Sequence, residues 1–329
     1  MVDFQKLVDT VYKETKNIKG GKKAHYIPEL AKVDSKLYSI SICDVQGNIY
    51  HKGDYKKSVA IESISKLFSL ALAIEKFGIK TIFKKIGMHG SFLPFNDVIA
   101  AKLSPTHTIN PFLNQGAMAT TSLLYNKNSN TFKRNLVKNM SKYASNSLSV
   151  GNKVYASESK TNSVNMSLAY LLKSYDRFYA PVRATVDVYT YQCSVKVTSD
   201  DLARMASVFA NGGVNPTTKE RFLTQKQTAY ILNNVLPEGL YEYSDDWIAK
   251  TGGGAYAKSG VGGGLLVVIP GVCGIGIISP PLGKNGNSVK GVAAGIKLAR
   301  VLGRRVFSRC TRKNKKRGNQ TRRNRKTKK

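Results

Sequence analysis

Two tetrapeptides in this chain place a serine three residues ahead of a lysine: Ser63-Ile64-Ser65-Lys66 and Ser157-Glu158-Ser159-Lys160. On a helix, residues three apart share a face, so the amine can reach the hydroxyl. A serine hydroxyl is a poor nucleophile until a base removes its proton, and a lysine serves as that base only when desolvation or a nearby cation lowers its pKa. The flanking residues separate the two candidates. Ser63 stands where the strand-like SVAI gives way to the most apolar helical stretch of the chain, whereas Ser157 lies in a polar, solvated segment. Lys258-Ser259-Gly260 supplies a partner, because a K-[ST]-G element on an edge strand is what S-x-x-K acylases set beside their serine. The glycines that follow, 262–264, permit close approach of a substrate. Backbone N–H groups of Ser63 and Val261 then form the expected oxyanion hole.

The elements that must position these groups follow from periodicity. Phe4, Leu7, Val8 and Tyr12 mark one face of a helix over about 3–16. LYSISIC and NIYHKG, joined by the turn DVQGN, predict a β-hairpin. From Ile64 to Phe77 the chain is apolar on nearly every side, which places that helix inside a core, with Gly78 as its stop. The region from about 80 to 235 reads as helices and loops. It includes SKTNSVNMSLAYLLKSY and TSDDLARMASVFANGG, the latter starting at Ser199 and stopping at Gly212 and Gly213. GGGLLVVIPGVCGIGIISPPL predicts two apolar strands around a Pro-Gly turn, followed by a helix over about 288–302. Strands near both chain ends predict one antiparallel sheet in an α+β architecture. The terminal helices cover one face and the Ile64–Phe77 helix the other, with a mainly helical insertion between.

Composition narrows the class. An apolar content of 42% fits a globular chain, but 52 basic against 20 acidic residues leave a formal charge of +32. Fourteen of those basic residues, and no acidic one, fall in 304–329. That segment has too little apolar surface to repay its ordering entropy, so a disordered tail is expected from about 308, attracted to nucleic acid or another polyanion and resembling a nuclear-targeting patch. Cys43, Cys193, Cys273 and Cys310 are far apart and show no metal-ligand spacing, so no metal is expected. The amphipathic start is no signal segment, and no apolar run is long enough to span a membrane, so a cytoplasmic, reducing setting is expected, with a nuclear one as the tail's alternative.

With these residues in hand, the chain resembles the glutaminase family, which shares the serine β-lactamase and DD-peptidase fold. The likeness rests on YIPELA (26–31), SISKLF (63–68), PFN (94–96), NPFLNQGAM (110–118), VYASES (154–159), DVYTYQCSVKVTSDDLA (187–203), MASVFANGGVNPTT (205–218), AKSGVGGGLLVVIPG (257–271) and SPPLGKNGNSVKG (279–291). It runs from about residue 5 to 307 and makes 1–307 one glutaminase domain, with the sheet and terminal helices drawn from about 1–60 and 250–305. The resemblance implies cofactor-free hydrolysis of L-glutamine to L-glutamate and ammonia through an acyl-enzyme, in a dimer or tetramer. It implies Ser63 as nucleophile, Lys66 as base, and Tyr26, Asn114, Glu158, Asn165, Tyr189, Tyr241 and Val261 as pocket residues. Glu158 suits the α-ammonium of glutamine, Asn114, Asn165 and the tyrosines suit its carboxylate, and Tyr241 is placed to relay a proton to the leaving ammonia.

Three positions depart from the family pattern. Glu62 replaces the glutamine before the nucleophile and becomes a pocket residue; if it faces Lys66 it raises that lysine's pKa. TNSVN at 161–165 lacks the glycine and arginine of the family's Thr-Gly-x-Arg-Asn, and Gln115 replaces a small alanine. Two alternatives remain open. One is a penicillin-binding or β-lactamase-like acylase, which a β-lactam would acylate. The other is a weakly active glutaminase-like protein that binds nucleic acid through its tail, with a steep dependence on salt.

Overall fold

Alternating apolar residues near both chain ends pair into a single sheet. The computed structural model describes residues 2–88, 90 and 99–303. Its strands, in chain order, are β1 (Ser39–Asp44), β2 (Ile49–Gly53), β3 (Val59–Ala60), β4 (Ser149–Val150), β5 (Val195–Val197), β6 (Tyr256–Gly260), β7 (Gly264–Ile269) and β8 (Cys273–Ile278). The main sheet runs β2-β1-β8-β7-β6, antiparallel throughout, so the N-terminal hairpin docks on the C-terminal meander through β1 and β8. This is the expected α+β arrangement of an antiparallel sheet flanked by helices. The PFN motif and the tail from 304 lie outside the described residues.

The pleat divides each strand between two cores. Ile40, Ile42, Leu265, Val267, Ile275 and Ile277 pack against Val8 and Val11 of the Phe4–Thr15 helix and Leu298 and Leu302 of the helix over 289–303. Leu266, Val268 and Ile278 face the opposite way, into the larger helical core. The helix lying on that second face is Ser199–Ala210, not the Ile64–Phe77 segment as the hydrophobic pattern predicts. The cause is in β8. A Cβ on Gly276 would sit 2.1 Å from the Ser199 carbonyl oxygen, and one on Gly274 would sit 2.2 Å from the Ser207 nitrogen. Two glycines on one face thus let a helix backbone rest directly on the sheet. Ser41 fastens the contact, its hydroxyl 2.8 Å from the Ser199 Oγ and donating to Asp200 Oδ1 at 2.6 Å.

The apolar helix lies one layer further out, against the helices Asn114–Leu124, Ser129–Ala144 and Gln225–Glu238. It spans Lys66–Ile86, and Gly78, at φ 76° and ψ 160°, kinks it instead of ending it. Its N-terminus also differs from expectation: Glu62–Ser65 form a 3₁₀ turn, and the α-helix begins only at Lys66. The Ser199–Ala210 helix is capped by Thr198, not Ser199. The Thr198 side chain accepts from the Asp201 N–H and Asp201 returns the bond to the Thr198 N–H. The SKTNSVNMSLAYLLKSY segment splits at Thr161-Asn162 into the end of one helix, Asn152–Lys160, and a second, Ser163–Ser174. A small sheet, β3-β5-β4, anchors the chain just before Ser63, and Ile61 N–H donates to the Val195 carbonyl at 2.7 Å.

Candidate active site

Ser63 leaves β3 on the 3₁₀ turn, whose three-residue repeat eclipses side chains at i and i+3 and so sets Ser63 and Lys66 on one face. Glu62 enters that turn at φ 52°, a left-handed conformation unusual for a non-glycine residue. The neighbouring edge strand holds the turn in place. A Cβ on Gly260 would lie 2.5 Å from the Ile61 carbonyl oxygen, and one on Gly262 would lie 2.2 Å from that of Ala60. The glycines after Lys258 therefore let backbone meet backbone and bring Val261 alongside Ser63.

Lys66 is 1% exposed. Its amine donates to the Phe112 carbonyl at 2.8 Å and to Asn114 Oδ1 at 2.7 Å. Burial lowers its pKa to about 8; Cys193, Glu238, Glu158 and Glu62, in falling order, pull it back up. The charge at Glu62 therefore does oppose the base, but it is the weakest of the four and burial prevails. Asn114 is oriented in turn: its Nδ2 donates to Asn165 Oδ1 at 3.0 Å, and its Oδ1 receives the Tyr189 hydroxyl at 3.5 Å.

On the other side of Ser63, the buried Tyr241 hydroxyl is hydrogen-bonded to the Ser63 side chain. Tyr241 has φ 56° and is the second left-handed non-glycine residue at the site. Lys258 is fully buried and donates to the Tyr241 hydroxyl at 3.3 Å, to the Ser259 carbonyl at 2.9 Å and to the Gly239 carbonyl at 3.1 Å. Burial first, then the nearby Lys66, drives its pKa well down; Glu238 opposes. The K-S-G lysine thus reaches Ser63 through Tyr241.

These groups border a cavity of about 290 Å³. Tyr26, Glu62, Ser63, Asn114, Glu158, Asn165, Tyr189 and Val261 line it, while Lys66 and Tyr241 stand behind the wall in contact with lining residues. The expected catalytic and pocket residues thus lie in this wall or directly behind it, while Gln115 is buried in the Asn114–Leu124 helix outside the lining. Tyr26 is half exposed at the rim, with its hydroxyl within electrostatic reach of Glu62, Tyr241 and Glu158. Glu62 and Glu158 are both buried. Burial raises Glu158 to about 8 against the pull of Lys66; burial and then the Glu158 charge push Glu62 well above the carboxylate range.

Sequence reasoning missed several members. Ile27, Thr161, Asn162, Val164 and Cys193 complete the lining, and the Phe112 carbonyl holds Lys66 with no side-chain signal to betray it. A carboxylate oxygen each from Glu62 and Glu158 and the Cys193 sulfur lie within 4.8 Å of one another. No spacing rule finds this cluster, because the three come from three separate elements. In the competing tetrapeptide, Ser157 Oγ accepts from the Glu29 N–H at 3.2 Å and Lys160 is exposed.

A family model described as Glutaminase matches residues 21–307. A glutaminase of Colwellia psychrerythraea is 44% identical over 304 residues, covering 92% of this chain and 97% of that protein. Glutaminase 1 of Escherichia coli K12 is 40% identical over 310 residues, covering 93% and 99%. Among solved structures, the probable glutaminase ybaS superposes with a TM-score of 0.88 at 40% identity over 91% of this chain and 96% of that one. A probable glutaminase from Bacillus subtilis, complexed with 6-diazo-5-oxo-L-norleucine, gives 0.79 at 27% identity, over 91% and 94%.

Proposed function

The chain belongs to the glutaminase family, with its serine β-lactamase-like α+β fold, and we propose that it hydrolyses L-glutamine to L-glutamate and ammonia through an acyl-enzyme on Ser63. One observation carries the mechanism: Ser63 opens into the cavity with a buried, pKa-lowered Lys66 on its own turn and Tyr241 bonded to its side chain. A neutral amine has two N–H bonds and one lone pair. Lys66 directs two donor bonds to Phe112 and Asn114, which leaves the lone pair to take the Ser63 proton.

The Ser63 oxygen attacks the side-chain carbonyl carbon of glutamine, and the backbone N–H groups of Ser63 and Val261 receive the oxyanion. The C–N bond then breaks, and Tyr241 passes a proton to the departing nitrogen, which leaves as ammonia. Lys258, donating to the Tyr241 hydroxyl, holds that group in line and stabilises the phenolate that proton transfer leaves behind. The Ser63 proton then passes from Lys66 to the Tyr241 phenolate, which resets both groups; water attacks the ester, Lys66 takes its proton and hands it to the Ser63 oxygen as glutamate departs. Asn165, Tyr189 and the remaining N–H of Asn114 face the α-carboxylate, and Glu158 faces the α-ammonium.

Ammonia release from L-glutamine, with L-asparagine and D-glutamine as controls, tests this reading. Turnover unchanged in a folded Ser63→Ala variant would sink it. The wider setting we propose is an intracellular homo-oligomer, a dimer or tetramer, whose residues 304–329 contact polyanions. The unpaired, buried Cys43, Cys193 and Cys273 fit that compartment. Sedimentation velocity checks the assembly, and salt-dependent retention on heparin, lost on truncation at 303, checks the tail. Among the described residues no helix is long and apolar enough to cross a membrane.

A further inference from the structure

Glu62 and Glu158 present two carboxyl groups to one cavity wall, from the turn that carries the nucleophile and from the Asn152–Lys160 helix. They are 3% and 7% exposed, and Glu62 Oε1 and Glu158 Oε2 have no hydrogen-bond partner among the described residues. Two carboxylates so close and so dry cannot both hold a charge alone, so protonation or an entering cation must satisfy them. The two groups lie within reach of one cation. Their nearest oxygens lie within 4.8 Å, and a tetrahedral ammonium making charge-assisted bonds of about 2.8 Å separates two acceptors by roughly 4.6 Å.

We propose that Glu62 and Glu158 form a two-carboxyl seat for the α-ammonium of the substrate, and that the entering cation displaces a proton the pair holds before binding. This rests on the glutaminase reading and adds a second acid to the Glu158 contact described above. The groups around the pair are consistent with it. Burial raises the pKa of Tyr26, Tyr189, Cys193 and Tyr241 and so favours their neutral forms, and Lys66, just past the end of the turn, supplies an opposing cation. Gly260 and Gly262 lay the edge strand against the Glu62 stem without adding a titratable group. Both acids stand above their ordinary range, as a proton-holding pair requires.

The experiment is calorimetric binding of L-glutamine to Ser63→Ala at pH 7 in buffers of different ionisation enthalpy, alongside the Ser63→Ala/Glu62→Gln double variant. The single variant is expected to release protons on binding, and the double variant at least half a proton fewer per ligand. Glutaramate, which lacks the α-ammonium, should bind Ser63→Ala at least tenfold more weakly and release none. Equal proton release by the two variants overturns the seat. So does proton release by glutaramate equal to that by glutamine, an arm that needs no change at residue 62 and stays decisive if the double variant does not fold. Failure of the glutaminase reading is seen separately, as absence of ammonia release by wild type.

Discussion

Ser63-Ile64-Ser65-Lys66 and Ser157-Glu158-Ser159-Lys160 share one spacing and contribute to one cavity, yet only the first has the means to act as a nucleophile. The first lies on a 3₁₀ turn with its lysine buried and held by two acceptors. The second lies on a regular helix whose lysine is in solvent and whose first serine accepts a bond from Glu29. What the second offers to chemistry is its second residue, Glu158, the one member of that tetrapeptide that lines the pocket. An S-x-x-K motif is thus a statement of reach. Desolvation turns reach into basicity, by penalising the charged form of the lysine.

Substitutions at matched positions test that contrast. Ser63→Ala should lower kcat for glutamine by at least ~10³-fold, because it removes the group that forms the covalent bond, while Ser157→Ala stays within about twofold, as a surface change should; ammonia release measures both. Lys66→Met should cost about 10²–10⁴-fold, the usual range for a positioned general base, and Lys160→Met nothing measurable. The same Lys66→Met protein should also melt earlier than wild type, since the Phe112 carbonyl and Asn114 Oδ1 lose their donor in a buried site. An unchanged melting temperature would show that Lys66 serves the chemistry alone.

Gly262→Ala should destabilise by about 1–3 kcal/mol, as overpacking does, and should also depress kcat, because the new Cβ pushes the edge strand off the nucleophile turn. Gly151→Ala, just ahead of the second tetrapeptide, meets the Ser194 carbonyl at 3.3 Å and needs only slight adjustment. Urea unfolding of both variants gives the difference. The smallest effect concerns pH. Lys66 must be neutral to accept a proton, so kcat should rise as pH climbs through about 8. In the substrate complex, where the bound cation has displaced the pair's proton, Glu62→Gln removes one charge that raises the Lys66 pKa, so this limb of kcat should move to lower pH. A shift to higher pH would mean that Glu62 acts on Lys66 in some way other than by its charge.

Much of the fold was legible in short-range pattern. The Phe4–Thr15 helix with its Asp3 cap, the hairpin of β1 and β2, and the β7–β8 turn follow from periodicity and turn residues. The helix that covers the second face of the sheet does not. Hydrophobicity alone ranks the Lys66–Ile86 helix as most buried, whereas the position is decided by Gly274 and Gly276 on a different element. The site shows the same division. Ser63, Lys66, Glu158 and Tyr241 were recognisable as types in motifs, but Cys193 and the Phe112 carbonyl were not, since nothing local marks a backbone oxygen as the holder of a distant amine.

By itself the amino-acid sequence determined the family, the element types and the residues able to carry charge or nucleophilicity, because each is a property of a residue and its near neighbours. The tertiary structure decided which lysine is desolvated, that Lys258 reaches Ser63 by way of Tyr241, and that Glu62 and Glu158 meet across the pocket. The reason is physical. A pKa and a shared proton depend on solvent exclusion and on charges a few ångströms away, and here those neighbours lie up to two hundred residues apart in the chain.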